Sequence, residues 1–312
     1  MGNCTLIYDD VFLLHKPPFN HPERPERLQA ILKLLKEESF LDTLEILPPA
    51  EASKEQILAV HSPEHYSYVK NSIAQGRTLL DSGDTFIVKD SWLASLLAAG
   101  SAASAVDIVM SGKSKNVFCL IRPPGHHATT AQSMGFCIFN NAAIGARYAI
   151  DKYNLERIAI IDWDVHHGNG TQEIFYDSSK VYYFSLHQYP FYPGTGSEVE
   201  KGIGDGFGHT LNFPLPARTD GKVYLNIFEK RILRELEKYS PQLLFISAGF
   251  DAHKNDPLAE MRLEEKDFAG MTSFLKDYAS GKMIPIISLL EGGYNLEALS
   301  KSVYEHLKVL AA

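Results

Sequence analysis

Five times along this chain a short apolar, β-branched run breaks into a polar cluster: Val117–Ile121, Ile158–Ile161, Val181–Leu186, Leu243–Ile246 and Ile286–Leu290. Helical spacing recurs between them, over Asn140–Tyr153, Val223–Lys238, Glu264–Ala279 and Leu296–Leu310. Runs this apolar suit strands buried on both faces. Strands alternating with helices imply a parallel sheet with helices on both sides. The chain is therefore expected to be α/β, with a central, mostly parallel sheet. The carboxyl ends of such strands form one edge, where ligands bind. All five polar clusters are delivered to it.

Upstream, Leu6-Ile7-Tyr8 reads as a first strand and the proline-punctuated His21–Arg27 as a stiff loop. Helices are expected over Leu28–Leu35, from Ser62-Pro63-Glu64 onward, and over the Ala-rich Ser91–Met110. No low-complexity linker or repeat interrupts the chain, so residues 1–312 read as a single domain. A net charge of −8 excludes a sequence-independent grip on nucleic acid. No apolar run is read as membrane-spanning. Cys4, Cys119 and Cys137 are odd in number and far apart, which argues against a disulfide framework. The start, Met-Gly-Asn-Cys-Thr-Leu, departs from an acylation signal at Leu6, so a cytoplasmic protein is expected. Its oligomeric state is not legible here.

The densest cluster is Asp162-Trp163-Asp164-Val165-His166-His167-Gly168-Asn169-Gly170, with Thr171 placed to cap a following helix. Charged groups beside an apolar strand need partners to offset desolvation. Asp164 and His166, two residues apart, share a side in an extended segment, as two ligands of one ion must. A third ligand has to come from another strand end. Asp251 fits best, after Ala248 and Gly249, while His253 and Asp256 compete. Two oxygens and a nitrogen suit one zinc ion, with iron(II) or manganese as alternative occupants.

His126 and His127 follow a Pro-Pro-Gly turn at the same edge and read as general acid–base groups. Asp162 could keep one protonated, and Asn169 could hold the other without adding charge. Tyr294, behind two glycines, could donate to a developing oxyanion. Phe136, Tyr192 and Leu258 lie near glycine-rich turns as apolar walls, and Asp84, with Asp81, could meet a cationic substrate.

These motifs together resemble the zinc-dependent histone deacetylase superfamily, of arginase-like fold, and look closest to its class II and bacterial amidohydrolase members. The resemblance rests on Arg122–His127, Gly135-Phe136-Cys137, Asp162–Gly170, Tyr192–Gly196, Ser247–Ala252, Asp256-Pro257-Leu258 and Glu291–Tyr294. It implies Asp164, His166 and Asp251 as zinc ligands, with His127 as general base and then acid. His126 would be a protonated partner held by Asp162, and Tyr294 would polarise the amide carbonyl. Phe136, beside Gly135, and Tyr192, where many members carry Phe, would sandwich an acyl-lysine chain.

Structural potassium is also implied: one ion at Asp162, Ser185, Leu186 and the carbonyls of Asp164 and His166, another near Phe175, Ser178 and Val181. The implied activity is hydrolysis of Nε-acetyl-lysine, in protein or peptide, to lysine and acetate. The rivals are an acetylpolyamine amidohydrolase, a deacylase for longer chains, a non-catalytic acyl-lysine binder and a binuclear manganese ureohydrolase. Polyamine-selective relatives place Glu after the Asp-Pro pair, where this chain has Leu258.

Overall fold

The computed structural model describes residues 4–312, so Met1-Gly2-Asn3 of the acylation-like start lies outside the described residues. Eight strands, all parallel, form one sheet in the order β2-β1-β3-β8-β7-β4-β5-β6. The strands are β1 Cys4–Ile7, β2 Glu45–Leu47, β3 Asn116–Cys119, β4 Ile158–Asp162, β5 Val181–Gln188, β6 Thr210–Leu215, β7 Leu243–Ala248 and β8 Ile286–Leu290. The sequence pattern missed β2 and β6. Both are edge strands: β2 has three residues, and β6 carries Pro214, which an interior ladder would not tolerate.

The helices are α1 Glu26–Glu37, α2 Lys54–Leu58, α3 Pro63–Ala74, α4 Ser91–Met110, α5 Asn141–Tyr153, α6 Asn169–Ile174, α7 Gly221–Ile227, α8 Leu233–Tyr239, α9 Glu265–Lys282 and α10 Leu296–Ala311. The stretch expected as one helix over Val223–Lys238 is α7 and α8 joined by a π-helical segment, Phe228–Ile232. Phe245 of β7 faces α5, where Gly145 leaves room; a Cβ there would lie 2.9 Å from both Ala102 of α4 and Phe245. Phe245 is in register with Ile287, so Ser288 points to the opposite face. There its hydroxyl meets His306 of α10, which packs with α9 and α1. Helices thus cover both faces of one parallel sheet, the α/β class expected from the alternation of strands and helices.

By length and composition α4 is apolar enough to cross a membrane, contrary to the expectation that no run would be. Most of it is buried within the fold, Ala94, Ala98, Ala102 and Val106 among its covered residues. Its apolarity belongs to the core.

Candidate active site

In the sheet order β3, β8, β7 and β4 are neighbours, so four loops leave adjacent strand ends. Asp162 is the last residue of β4, one beyond the expected strand end. The residues after it bend rather than run extended, so period-two alternation is not what brings Asp164 and His166 together. The loop folds back on itself instead, Asp164 Oδ1 accepting the His166 N–H at 2.9 Å. Glycines let the other loops close in. A Cβ at Gly249 would sit 2.2 Å from Asp164 Oδ2, and one at Gly292 would sit 2.1 Å from Asp251 Oδ2.

The outcome is that ligand atoms of Asp164, His166 and Asp251 all lie within 4.8 Å of one another. Asp251 Oδ1 accepts the Val165 N–H at 2.8 Å. Its Oδ2 is buried without a hydrogen bond, 3.2 Å from His166 Nδ1. Burial opposes charge on His166, yet the Asp164 and Asp251 carboxylates outweigh it and push His166 up to about 10. Two buried carboxylates around one imidazole demand a cation, and this donor set fits a divalent metal ion. The competing candidates stand apart. His253 Nδ1 accepts the Asn255 N–H while its Nε2 is 3.6 Å from Glu265, and Asp256 accepts backbone N–H groups. Neither joins the ligand cluster. A second buried group, His126, Cys137 and Glu291, is equally compact. Burial pushes the Cys137 thiol well up and the Glu291 carboxyl to about 7, which leaves it a poor metal site at neutral pH.

The two histidines of the β3 loop differ sharply. His126 Nδ1 lies 3.0 Å from Asp162 Oδ2, which also accepts the Tyr183 hydroxyl at 2.9 Å. Burial disfavours its charge, but Asp162 and Asp164 prevail and hold His126 well above the ordinary value. His127 pairs with a neutral partner, Asn169 Oδ1, at 2.8 Å. Burial, reinforced by the neighbouring His126 and His166, holds it well below the ordinary range. Thr171 is not the helix cap: α6 begins at Asn169 after Gly168, and the Thr171 hydroxyl engages Asn140.

A cavity of about 280 Å³ opens onto this cluster, lined by Asp84, His127, Gly135, Phe136, His166, Phe191, Tyr192, Leu258 and Tyr294. Phe136 meets the Tyr294 ring edge-on at 5.8 Å, and Tyr192 meets His127 edge-on at 5.1 Å. Phe191, which the sequence pattern did not single out, stacks on His166 at 5.3 Å. Asp84 is half-buried at the mouth, its carboxyl raised by burial and by Asp81. Asp81 instead braces its own turn, accepting from Gly83, Thr85 N–H and the Thr85 hydroxyl. Asp162 and Ser185 are in register across β4 and β5, and the Ser185 hydroxyl bonds His187; Leu186 follows in β5. Phe175, Ser178 and Val181 span the turn from α6 into β5.

The sequence profile of the family described as Histone deacetylase domain matches residues 21–310. The chain belongs to the histone deacetylase family. It is 37% identical, over 98% of its length, to a protein of Archaeoglobus fulgidus named a probable deacetylase, and covers 85% of that protein. It is also 37% identical to polyamine deacetylase HDAC10 of Homo sapiens, matching 97% of this chain but only 47% of that protein. The solved HDA15 HD domain matches with a TM-score of 0.94 at 37% identity, covering 99% of this chain and 89% of that one.

This deacetylase fold also uses residues that sequence reasoning passed over. Arg27, fully buried, donates through Nε to the Gly293 carbonyl at 2.6 Å and through Nη2 to the Glu291 carbonyl, and its guanidinium lies 5.0 Å from the Tyr294 ring centroid. Glu23 holds it at 3.1 Å and also pairs with buried Arg122. The two arginines outweigh the cost of burial and hold the Glu23 carboxyl down at about 2. The available signal was four charged residues around two prolines in His21–Arg27, a stretch that reads as a stiff loop.

Proposed function

We propose that this chain is a zinc-dependent deacetylase that hydrolyses the amide of Nε-acetyl-lysine in a protein or peptide. The reading rests chiefly on the cluster of Asp164, His166 and Asp251, whose His166 lines the aromatic-walled cavity together with His127 and Tyr294. Bound zinc would supply a Lewis acid and lower the pKa of a water toward ~7. His127, neutral and with Nδ1 directed at Asn169, takes the proton of the attacking water and returns it to the departing amine. His126, kept charged by Asp162, stabilises negative charge beside it. The Tyr294 hydroxyl, which burial keeps protonated, donates to the carbonyl oxygen as it becomes an oxyanion.

Phe136 and Tyr192 flank an extended acyl-lysine chain, and Leu258 presents no carboxylate to a second amine. Structural potassium is assigned to Asp162, Ser185 and Leu186, and to the turn holding Phe175, Ser178 and Val181. Three buried, unpaired cysteines accord with a reducing, cytoplasmic setting. A second reading, acetylpolyamine hydrolysis, is favoured by Asp84 at the cavity mouth. The test is a panel of acyl-lysine peptides of increasing chain length together with acetylspermidine, assayed with and without chelator. Chelator-sensitive turnover highest on acetyl-lysine supports the proposal; turnover confined to acetylspermidine replaces it with the second reading.

A further inference from the structure

Asp256 is a buried carboxylate with no cation paired to it among the described residues. Its oxygens are spent on backbone. Oδ2 accepts the N–H of Tyr294 at 2.7 Å and that of Asn295 at 3.4 Å, and Oδ1 accepts the N–H of Leu258 at 3.0 Å. Burial and the nearby Asp251 push the Asp256 carboxyl up to about 7, against the lowering effect of these three backbone N–H donors. One side chain from the β7 loop therefore ties together the loop that carries Leu258 and the loop that carries Tyr294.

The peptide unit between Gly293 and Tyr294 is gripped at both ends. Arg27 donates to its carbonyl at 2.6 Å, and Asp256 accepts from its N–H at 2.7 Å. That plane needs holding. Gly293 adopts φ +121, a conformation open to glycine, and glycines precede Tyr294 on its N-terminal side. From this held plane the Tyr294 ring packs edge-on against Phe136, with the Arg27 guanidinium 5.0 Å from its centroid.

The geometry points to Asp256 as a positioning residue that sets the Tyr294 hydroxyl over the reacting carbonyl by clamping the Gly293–Tyr294 peptide against Arg27. This rests on the deacetylase reading above. Asp256 lies outside the ligand cluster, and of the two cavity-lining residues whose N–H it holds, Leu258 and Tyr294, only Tyr294 carries a hydroxyl for the reaction.

The test is a double-mutant cycle with Asp256→Ala and Tyr294→Phe in the full chain, reading kcat, KM and metal content. Asp256→Ala is expected to lower kcat by about 10- to 100-fold, the scale of an ångström-sized misplacement, with KM for acetyl-lysine peptide within about threefold. Metal content stays at the unsubstituted level. In the Tyr294→Phe background the same substitution costs less than about threefold, because the hydroxyl it positions is already gone. Asp256→Asn, which keeps an acceptor oxygen for the Tyr294 N–H, recovers most of the loss. If Asp256→Ala does not fold, Asp256→Leu, similar in size and without an acceptor oxygen, carries the cycle. Multiplicative losses in the double mutant overturn this inference alone. Absence of chelator-sensitive hydrolysis by the unsubstituted chain overturns the functional reading and this inference with it.

Discussion

Gly135→Ala isolates how far the site depends on the fixed position of His127. Gly135 has φ +55, and a Cβ there would lie 2.4 Å from His127 Cδ2 and 2.9 Å from Cγ. Carbon atoms rest about 3.5–4.0 Å apart, so the ring or the loop must give by roughly 1 Å. A displacement of that size at a catalytic group costs on the order of 10²-fold in turnover. The backbone penalty for alanine at positive φ adds about 1 kcal/mol of lost stability. Gly76→Ala separates the two effects: its φ is +71, and nothing lies within 4 Å of the added Cβ. Both variants are expected to lose the backbone increment in thermal or denaturant melts, Gly135→Ala a further ~1–3 kcal/mol from the clash, and only Gly135→Ala should lose kcat on acetyl-lysine peptide. Turnover of Gly135→Ala within about threefold of the unsubstituted chain would refute the steric argument, as would equal slowing by Gly76→Ala.

Tyr294→Phe should lower kcat by about 10²-fold or more with an unchanged melting temperature, since it removes one oxyanion donor. Arg27→Met strands the buried Glu23 carboxylate beside a single arginine and should cost about 3–5 kcal/mol in denaturant unfolding. Leu258→Glu places a carboxylate in the cavity wall and should raise the kcat/KM ratio of acetylspermidine to acetyl-lysine peptide by about tenfold, roughly 1.4 kcal/mol. Burial holds His61 and His306 down near 3 and His187 near 4, so all three fold neutral. Because their folded values are depressed, their contribution to stability is complete above the unfolded value of about 6.5 and is lost as pH falls toward 4. Urea midpoints should therefore drop between pH 7 and pH 5, and less steeply for His306→Gln.

The interior strands were legible because burial on both faces leaves unbroken β-branched runs such as Ile158–Ile161. The edge strands were not: β2 is short and half exposed, and Pro214 in β6 looks like a breaker unless its place at the rim is known. Asp164, His166, Asp251 and the histidine pair stood out because carboxylates and imidazoles beside apolar strands must be desolvated, and a bound ion or a proton relay offsets that cost. Phe191 and Arg27 did not. An aromatic beside Tyr192 reads as core, and an arginine just after a proline-punctuated loop reads as surface, until the fold buries it against Tyr294. Asp256 was legible as an acid near the site, but its role as backbone acceptor depends on a loop more than thirty residues away in sequence.

Metal content is the most direct test of the central claim that Asp164, His166 and Asp251 hold a single catalytic ion. Elemental analysis of the purified chain, beside Asp251→Ala, should give one zinc per chain and close to none, with folding of the variant confirmed by circular dichroism. Two ions per chain, or zinc retained at full stoichiometry in an active Asp251→Ala protein, would contradict it.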